Sequence, residues 1–280
     1  MTHHWLHARV PAPYGTGHHG ISHPQPPETL RELTRDLRAA DRSSRWFFHW
    51  GETGRNPEIG FWAHSASPEL REVENRLRTE ILPSGTDSRI AYLPDTEGRP
   101  PHHQEACDIE FADDVAMASS ELALAVAREA ALPDTALLAL ATWHLRHVVA
   151  LVPEPGRKGF LFQCWQYWTE GLTPERRTEL CERSRHTAPT LADGLPPMSP
   201  EVAGAWDEYL RTLRRAAGTW AAEGAPVNYL LFDHAHLTHR RLRIPAVTEA
   251  LAARTVRAVL GEAGRDTQPI AVPTAALQTV

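Results

Sequence analysis

Lysine is almost missing from this 280-residue chain: of its 29 basic residues, Lys158 alone is a lysine. With abundant Ala, Pro and Arg, this reads as the codon bias of a GC-rich genome. Cysteine is scarce too. Cys107, Cys164 and Cys181 form an odd set without CxxC spacing, which excludes a disulfide framework and a zinc ribbon. A formal net charge of -6 and a pI near 6.2 provide no overall basic field to gather phosphates, so a nucleic-acid binder is set aside. The longest apolar runs, Thr135 to Leu140 and Val148 to Val152, fall far short of the roughly 20 residues that cross a bilayer. Met1 to His7 has no basic segment leading into an apolar one, so the chain is expected to be cytoplasmic. There is no GxGxxG, Walker A, GxSxG or HExxH sequence, which removes the commonest nucleotide, hydrolase and zinc-protease signatures.

What is present is enough apolar material, 42% of residues, for a substantial core. The pattern predicts one α+β domain over residues 1–265 followed by a tail at 266–280. Its N-terminal half carries an antiparallel or mixed sheet packed with helices, and its C-terminal half is mainly helical. Trp5 to Val10 reads as an opening strand, followed through Pro27 by a loop rich in Gly, His and Pro that is expected to be mobile. Leu30, Leu33 and Leu37 fall at helical spacing within Glu28 to Ala40. Trp46 to Trp50 and Ile59 to Trp62 flank a short turn and predict a hairpin, with Pro57 bending the entry to its second strand. Ser67-Pro68 opens a helix as cap and first residue, with Leu70, Val73, Leu77 and Ile81 as its buried stripe. A strand near Arg89 to Leu93 follows. Helices are then expected over Asp113 to Ala130, Pro133 to Leu151, Pro174 to Arg185, Ser199 to Ala222 and Ile244 to Gly261, while Gly159 to Trp168 fits either a strand or the start of a helix.

Sixteen histidines make proton transfer or metal binding the chemistry to look for. The densest cluster is Asp233-His234-Ala235-His236-Leu237-Thr238-His239-Arg240-Arg241-Leu242. On a helix, Asp233, His236 and Arg240 share a face, placing a carboxylate where it can orient an imidazole beside a cation. Asp233, His234, His236 and His239 are also zinc-competent, but His234 and His236 would point about 200° apart, so no metal site is expected. His144 and His147 lie in an apolar helix and are expected to pack in a core or interface. His102-His103 reads as solvated loop polarity. The nine tryptophans are first of all core material, though some are in a position to line a groove for an unsaturated or heteroaromatic substrate.

The run His236 to Leu242, followed by a helix, resembles the HMxxNRL signature of the thiopeptide-type bacteriocin biosynthesis family, which includes the glutamate-elimination domain of class I lantibiotic dehydratases. Arg240 stands where that signature has Asn. Trp5 to Val10, the Leu-rich helix, the Trp46 to Trp50 strand and its hairpin follow the family's order. Tyr92-Leu93-Pro94-Asp95-Thr96-Glu97-Gly98-Arg99 is similar to its acidic segment leading into RYGG, and Ala118 to Leu124 to its SSxxAL helix. The likeness spans roughly Trp5 to Leu260.

The departures from the family are informative. Where elimination domains carry arginines in an HxRxR strand and in RYGG, this chain has Asn56 to Trp62 and Gly98-Arg99-Pro100-Pro101. A bidentate guanidinium clamp on glutamate is not replaced by Gly or Phe. The resemblance therefore implies the family's pyridine synthases, which join two dehydroalanines of a modified precursor peptide in a formal [4+2] aza-cycloaddition, lose water and the leader peptide, and need no cofactor or metal. On that likeness His236 is the expected acid-base residue, with Asp233 orienting it. Glu58, Asp95, Tyr167 and His49 are further catalytic candidates. Trp50, Trp62 and Trp165 are expected to line the substrate groove, with Arg241 beside them in a more structural role. The loop from Tyr14 to Pro27 is a candidate wall for the leader. Two other readings stand: a glutamate eliminase with a clamp rebuilt from Arg55, Arg99 and Arg241, and a non-catalytic escort of the precursor peptide among the enzymes of its pathway.

Overall fold

The computed structural model describes residues 3–16, 22–51, 57–82, 89–94, 114–129, 132–187 and 198–266. Asp95, Arg55, Arg99, His102-His103, Cys107 and most of the tail lie outside them. Four strands form the main sheet: β1 (His3–Pro11), β4 (Arg45–Trp50), β5 (Glu58–Ala66) and β6 (Ile90–Pro94). Their order is β4-β5-β1-β6, and every pairing is antiparallel. The expected hairpin is β4-β5. Part of the loop after β1, expected to be mobile, forms a small antiparallel ribbon of β2 (Tyr14–Thr16) and β3 (Ser22–Pro24).

Because side chains alternate along a strand, the sheet has two unlike faces. Leu6, Ala8, Val10, Trp46, Phe48, Ile59, Phe61 and Ala63 join one core with Leu30, Leu33 and Leu37 of α1 (Glu28–Ala40) and Leu70 and Val73 of α2 (Ser67–Arg76). On the other face Trp5, Phe47 and Trp62 cluster with Ala116 of α3 (Asp114–Ala127). Trp62 stacks on Phe47 at 6.0 Å between centroids and lies 4.3 Å from the His7 ring. β5 runs straight into α2, so Ser67 is the first helical residue rather than its cap, and the terminal turn at Leu77–Ile81 widens to a π-helix.

The remaining helices are α4 (Asp134–Ala150), α5 (Arg157–Trp168), α6 (Pro174–Thr187), α7 (Pro200–Ala222), α8 (Val227–Arg241) and α9 (Ala246–Asp266). Gly159 to Trp168 is thus helical. Ser199 caps α7 by accepting the Val202 N–H at 3.3 Å. α9 packs against α4, α5 and α6, while α3 packs against α7 and α8. Among the described residues no helix is long and apolar enough to cross a membrane.

The helical half is fastened to the sheet at the outer edge of β4, where backbone groups lack a further strand. The Phe48 N–H donates to Ser120 Oγ of α3 at 3.2 Å, and the Phe48 carbonyl accepts from Arg241 Nε of α8 at 2.8 Å. Trp50 donates its indole N–H to the Arg241 carbonyl at 2.9 Å. Beyond α8, Ile244 N–H bonds the His239 carbonyl and Arg243 N–H the Arg240 carbonyl, a Schellman closure with Arg243 at φ 58°. That position normally suits glycine. Here the guanidinium lies 4.5 Å from the Trp50 centroid, a cation–π contact that offsets the strain.

One glycine is required by close approach. Gly60 faces His49 across β4-β5, and a Cβ added there would stand 2.5 Å from His49 Nε2. Gly60→Ala is expected to lower stability by about 1–3 kcal/mol in chemical denaturation, and His49→Ala in the same chain to restore most of the loss. An unchanged midpoint for Gly60→Ala alone would contradict the steric account.

Candidate active site

The cluster around His236 is built on α8, whose buried face carries His234, Thr238, His239 and Arg241. His236 itself is one-fifth exposed. Its Nδ1 lies 2.9 Å from Oε2 of Glu249, a fully buried carboxylate on the first turn of α9. The other oxygen, Oε1, lies 3.3 Å from Nδ1 of His239, close enough for an ion pair though off ideal hydrogen-bond alignment. Burial pushes the Glu249 carboxyl up, but the two imidazoles outweigh it and hold the group below the ordinary carboxylate value. Glu249 is therefore an anion at neutral pH.

A continuous buried polar path leads away from it. His239 Nε2 meets His144 Nδ1 of α4 at 2.9 Å, and His144 Nε2 meets the Tyr209 hydroxyl of α7 at 2.9 Å. Thr238 Oγ1 donates to that hydroxyl at 3.1 Å and accepts from Ser119 Oγ of α3 at 3.0 Å. Ser119 in turn accepts from Arg241 NH1 at 3.2 Å. Arg241 is itself buried, and desolvation pulls its guanidinium down to about 9, so it remains a cation at neutral pH. Burial, and then the neighbouring His239 and His147, drives His144 well below the usual histidine range and keeps it neutral.

Aromatic rings wall the outer end of this path. Trp168 stacks over His236 at 6.1 Å, and Tyr167 stands edge-on to it at 6.2 Å. Phe232 stacks on Trp168 and meets Tyr167 edge-on. Tyr167 is about half exposed, so the wall reaches solvent. An imidazole gripped at Nδ1 by a carboxylate beside such a wall can take and return a proton at Nε2 next to a flat, uncharged group.

The residues expected from sequence separate into distinct places. His236 and Tyr167 come together. Glu249, not Asp233, is the carboxylate on His236 Nδ1, because α9 delivers it from another helix; the Asp233 charge and a hydrogen bond act on the Tyr229 hydroxyl and raise it. His234 is fully buried and stacks on Trp220. Glu58 and His49 are on the sheet, where Glu58 accepts from Arg89 at 2.8 Å and the His49 ring covers Gly60. The three tryptophans expected to line a groove are committed to packing: Trp62 is 1% exposed, Trp165 is 6% exposed with Arg254 over its ring, and Trp50 fastens α8. Arg241 is too deeply buried to meet a substrate. Asp95 lies outside the described residues. Among the described residues no group of three or more His, Cys, Asp or Glu side chains is arranged to hold a metal ion. Glu249, Trp168 and Phe232 were not foreseen; for Glu249 the signal was an acid in line with the apolar residues of one helix face.

Residues 27–260 match the family described as lantibiotic biosynthesis dehydratase C-term. No curated protein sequence matches the chain. Among solved structures, it is similar to the pyridine synthase TbtD from thiomuracin biosynthesis, with a TM-score of 0.54 and 15% identity over 92% of this chain and 98% of TbtD. TsrL gives 0.53 at 15% identity over 96% of this chain and all (100%) of TsrL. The tRNA-dependent lantibiotic dehydratase MibB from Microbispora sp. 107891 gives 0.50 at 14% identity over 96% of this chain and 29% of MibB. At these identities the likenesses establish the fold.

The neutral burial of His144 sets a pH dependence. Its folded value is depressed, so below about pH 6.5 the unfolded chain binds a proton that the folded one refuses. Stability is expected to be full above that pH and to fall below it, by at most about 1.4 kcal/mol per pH unit from this group. Urea unfolding at pH 7, 6 and 5 measures the slope, and His144→Gln should flatten it. An equal slope in the variant would contradict the assignment.

Proposed function

The chain belongs to the lantibiotic biosynthesis dehydratase C-terminal family, and from that premise we propose that it is a cofactor-independent pyridine synthase acting on a modified precursor peptide. Two dehydroalanines meet; one reacts as the iminol tautomer of its amide, a 2-azadiene, and the other as the alkene. Two carbon–carbon bonds form. Water then leaves from the former amide carbon and the leader peptide leaves as its amide, giving a pyridine-centred macrocycle without net oxidation or reduction.

The observation that carries this reading is the Glu249-held imidazole of His236 against the wall of Tyr167, Trp168 and Phe232. The chemistry demands proton transfers at nitrogen and oxygen, together with close approach of two alkenes. His236 Nε2 is suited to remove the amide proton that gives the iminol and to return a proton to the departing hydroxyl. Glu249 stabilises the imidazolium formed between those steps, and the rings supply a flat apolar surface for azoles and alkenes. The fold likeness to TbtD, over nearly the whole of both chains, supports the same reading.

The glutamate-elimination alternative asks for a cationic clamp. β5, the strand where eliminases place arginines, reads Glu58-Ile59-Gly60-Phe61-Trp62-Ala63-His64-Ser65-Ala66 and carries none. Arg241, one of the arginines available to rebuild it, is buried against the sheet edge.

The test is incubation of the purified protein with a leader-bearing azole peptide containing dehydroalanines, followed by mass spectrometry. Release of the leader as its amide together with a pyridine macrocycle is expected, and His236→Gln should slow it about 100-fold or more. Glutamate loss from a glutamylated-serine peptide, with the dehydroalanine peptide unchanged, would move the chain to the eliminase branch. Binding without conversion of either peptide would leave the escort reading.

A further inference from the structure

The buried path between Arg241 and Glu249 has a direction. A guanidinium only donates and a carboxylate only accepts, so the two charged ends fix the sense of every link between them. Arg241 donates to Ser119, Ser119 to Thr238, and Thr238 to Tyr209. Tyr209, its oxygen already accepting, gives its own proton to Nε2 of His144. Neutral His144 then carries its proton on Nδ1 and donates to Nε2 of His239. His239 is left with its proton on Nδ1, facing Glu249, and His236 also presents its Nδ1 proton to the same carboxylate. The sequence closes with no donor facing a donor.

We propose that this polarised chain fixes His144 and His239 in their Nδ1–H tautomers and, through the shared Glu249, tempers the basicity of His236, with Tyr209 and His144 as positioning residues that never meet substrate. The proposal rests on the role given to His236 above but has its own physical content. Because Glu249 shares its charge between two imidazoles, His236 receives only part of it. Were the chain broken at Tyr209, His144 would lose the proton donated to its Nε2, and only the misaligned 3.3 Å contact of His239 with Glu249 would still hold the two tautomers. With His144 and His239 reversed, a lone pair of His239 would face Glu249, and the carboxylate would lean wholly on His236 and strengthen it as a base.

The titratable and charged groups at His236 and along the path behind it come from several helices. α9 supplies Glu249, and α5 supplies Tyr167 and Cys164, a buried thiol raised by desolvation and by Glu249. α4 supplies His144 and His147, α7 Tyr209, and α8 itself Asp233, His239 and Arg240. Of these, the Glu249-His239-His144-Tyr209 connection is the one that Tyr209→Phe cuts while preserving the ring that packs against Trp206.

Nitrogen-15 histidine spectra of the full chain read the tautomers directly and need no substrate. His236, His239 and His144 are each expected to carry the proton on Nδ1 at neutral pH. In Tyr209→Phe, His236 should bind a proton about threefold more tightly, and the acid limb of kcat/KM with the peptide substrate should move to higher pH with it. Ser119→Ala, a milder cut nearer Arg241, should shift both in the same direction by less and serves if Tyr209→Phe does not fold. A proton on Nε2 of His144 or His239 in the intact protein, or identical His236 titrations in the folded variant and the parent, overturns the proposal. Correct tautomers and shifted titrations in a protein that converts no peptide would uphold the chain and remove the cyclase reading alone.

Discussion

A carboxylate with no solvent exposure is tolerable only when charge or hydrogen bonds replace the water it has lost, and Glu249 meets that demand with two imidazoles from one helix. Much of the interior is arranged around this. His236 and His239 must stand one turn apart on α8 so that their Nδ1 atoms reach opposite oxygens. α9 must present Glu249 in its first turn, where the helix terminus favours an anion. His239, once committed to Glu249, needs a donor for its second nitrogen, and that demand draws in His144, then Tyr209, Thr238 and Ser119.

The far end of the same path does the mechanical work. Arg241 reaches the open edge of β4, and Ser120, beside Ser119 on α3, occupies the neighbouring backbone N–H. The sheet edge is thereby closed to further strands, and the angle between sheet and helices is set by directed hydrogen bonds rather than by apolar contact alone. One buried polar system thus links the packing of the two halves to the placement of the acid-base group.

The sequence made the helices readable because their apolar residues recur at helical spacing, as at Leu30, Leu33 and Leu37, and the hairpin readable because aromatic runs flank a short turn. It did not reveal that β1 lies between β5 and β6, since pairing order is decided by long-range contacts absent from any local window. His236 stood out through its motif, whereas Glu249 looks like a solvated acid until its spacing with Ala253, Val256 and Leu260 places it on the inner side of α9. Asp233 drew attention for its position on the helix face of His236, yet the next helix supplies the carboxylate. Trp50, Trp62 and Trp165 were misleading for a related reason: an aromatic side chain has the same letter whether it lines a groove or packs the interior, and here the burial of Trp62 and Trp165 and the hydrogen bond from Trp50 to the Arg241 carbonyl decide.

The central claim is that a carboxylate-held imidazole performs the proton transfers. Its most direct test is Glu249→Gln, which keeps the size while removing the charge and one of the two acceptors. With a leader-bearing dehydroalanine peptide, measured together for turnover and for affinity, the account predicts a kcat lower by about 10-fold to 100-fold and an unchanged Kd. A folded Glu249→Gln protein with undiminished kcat would contradict it.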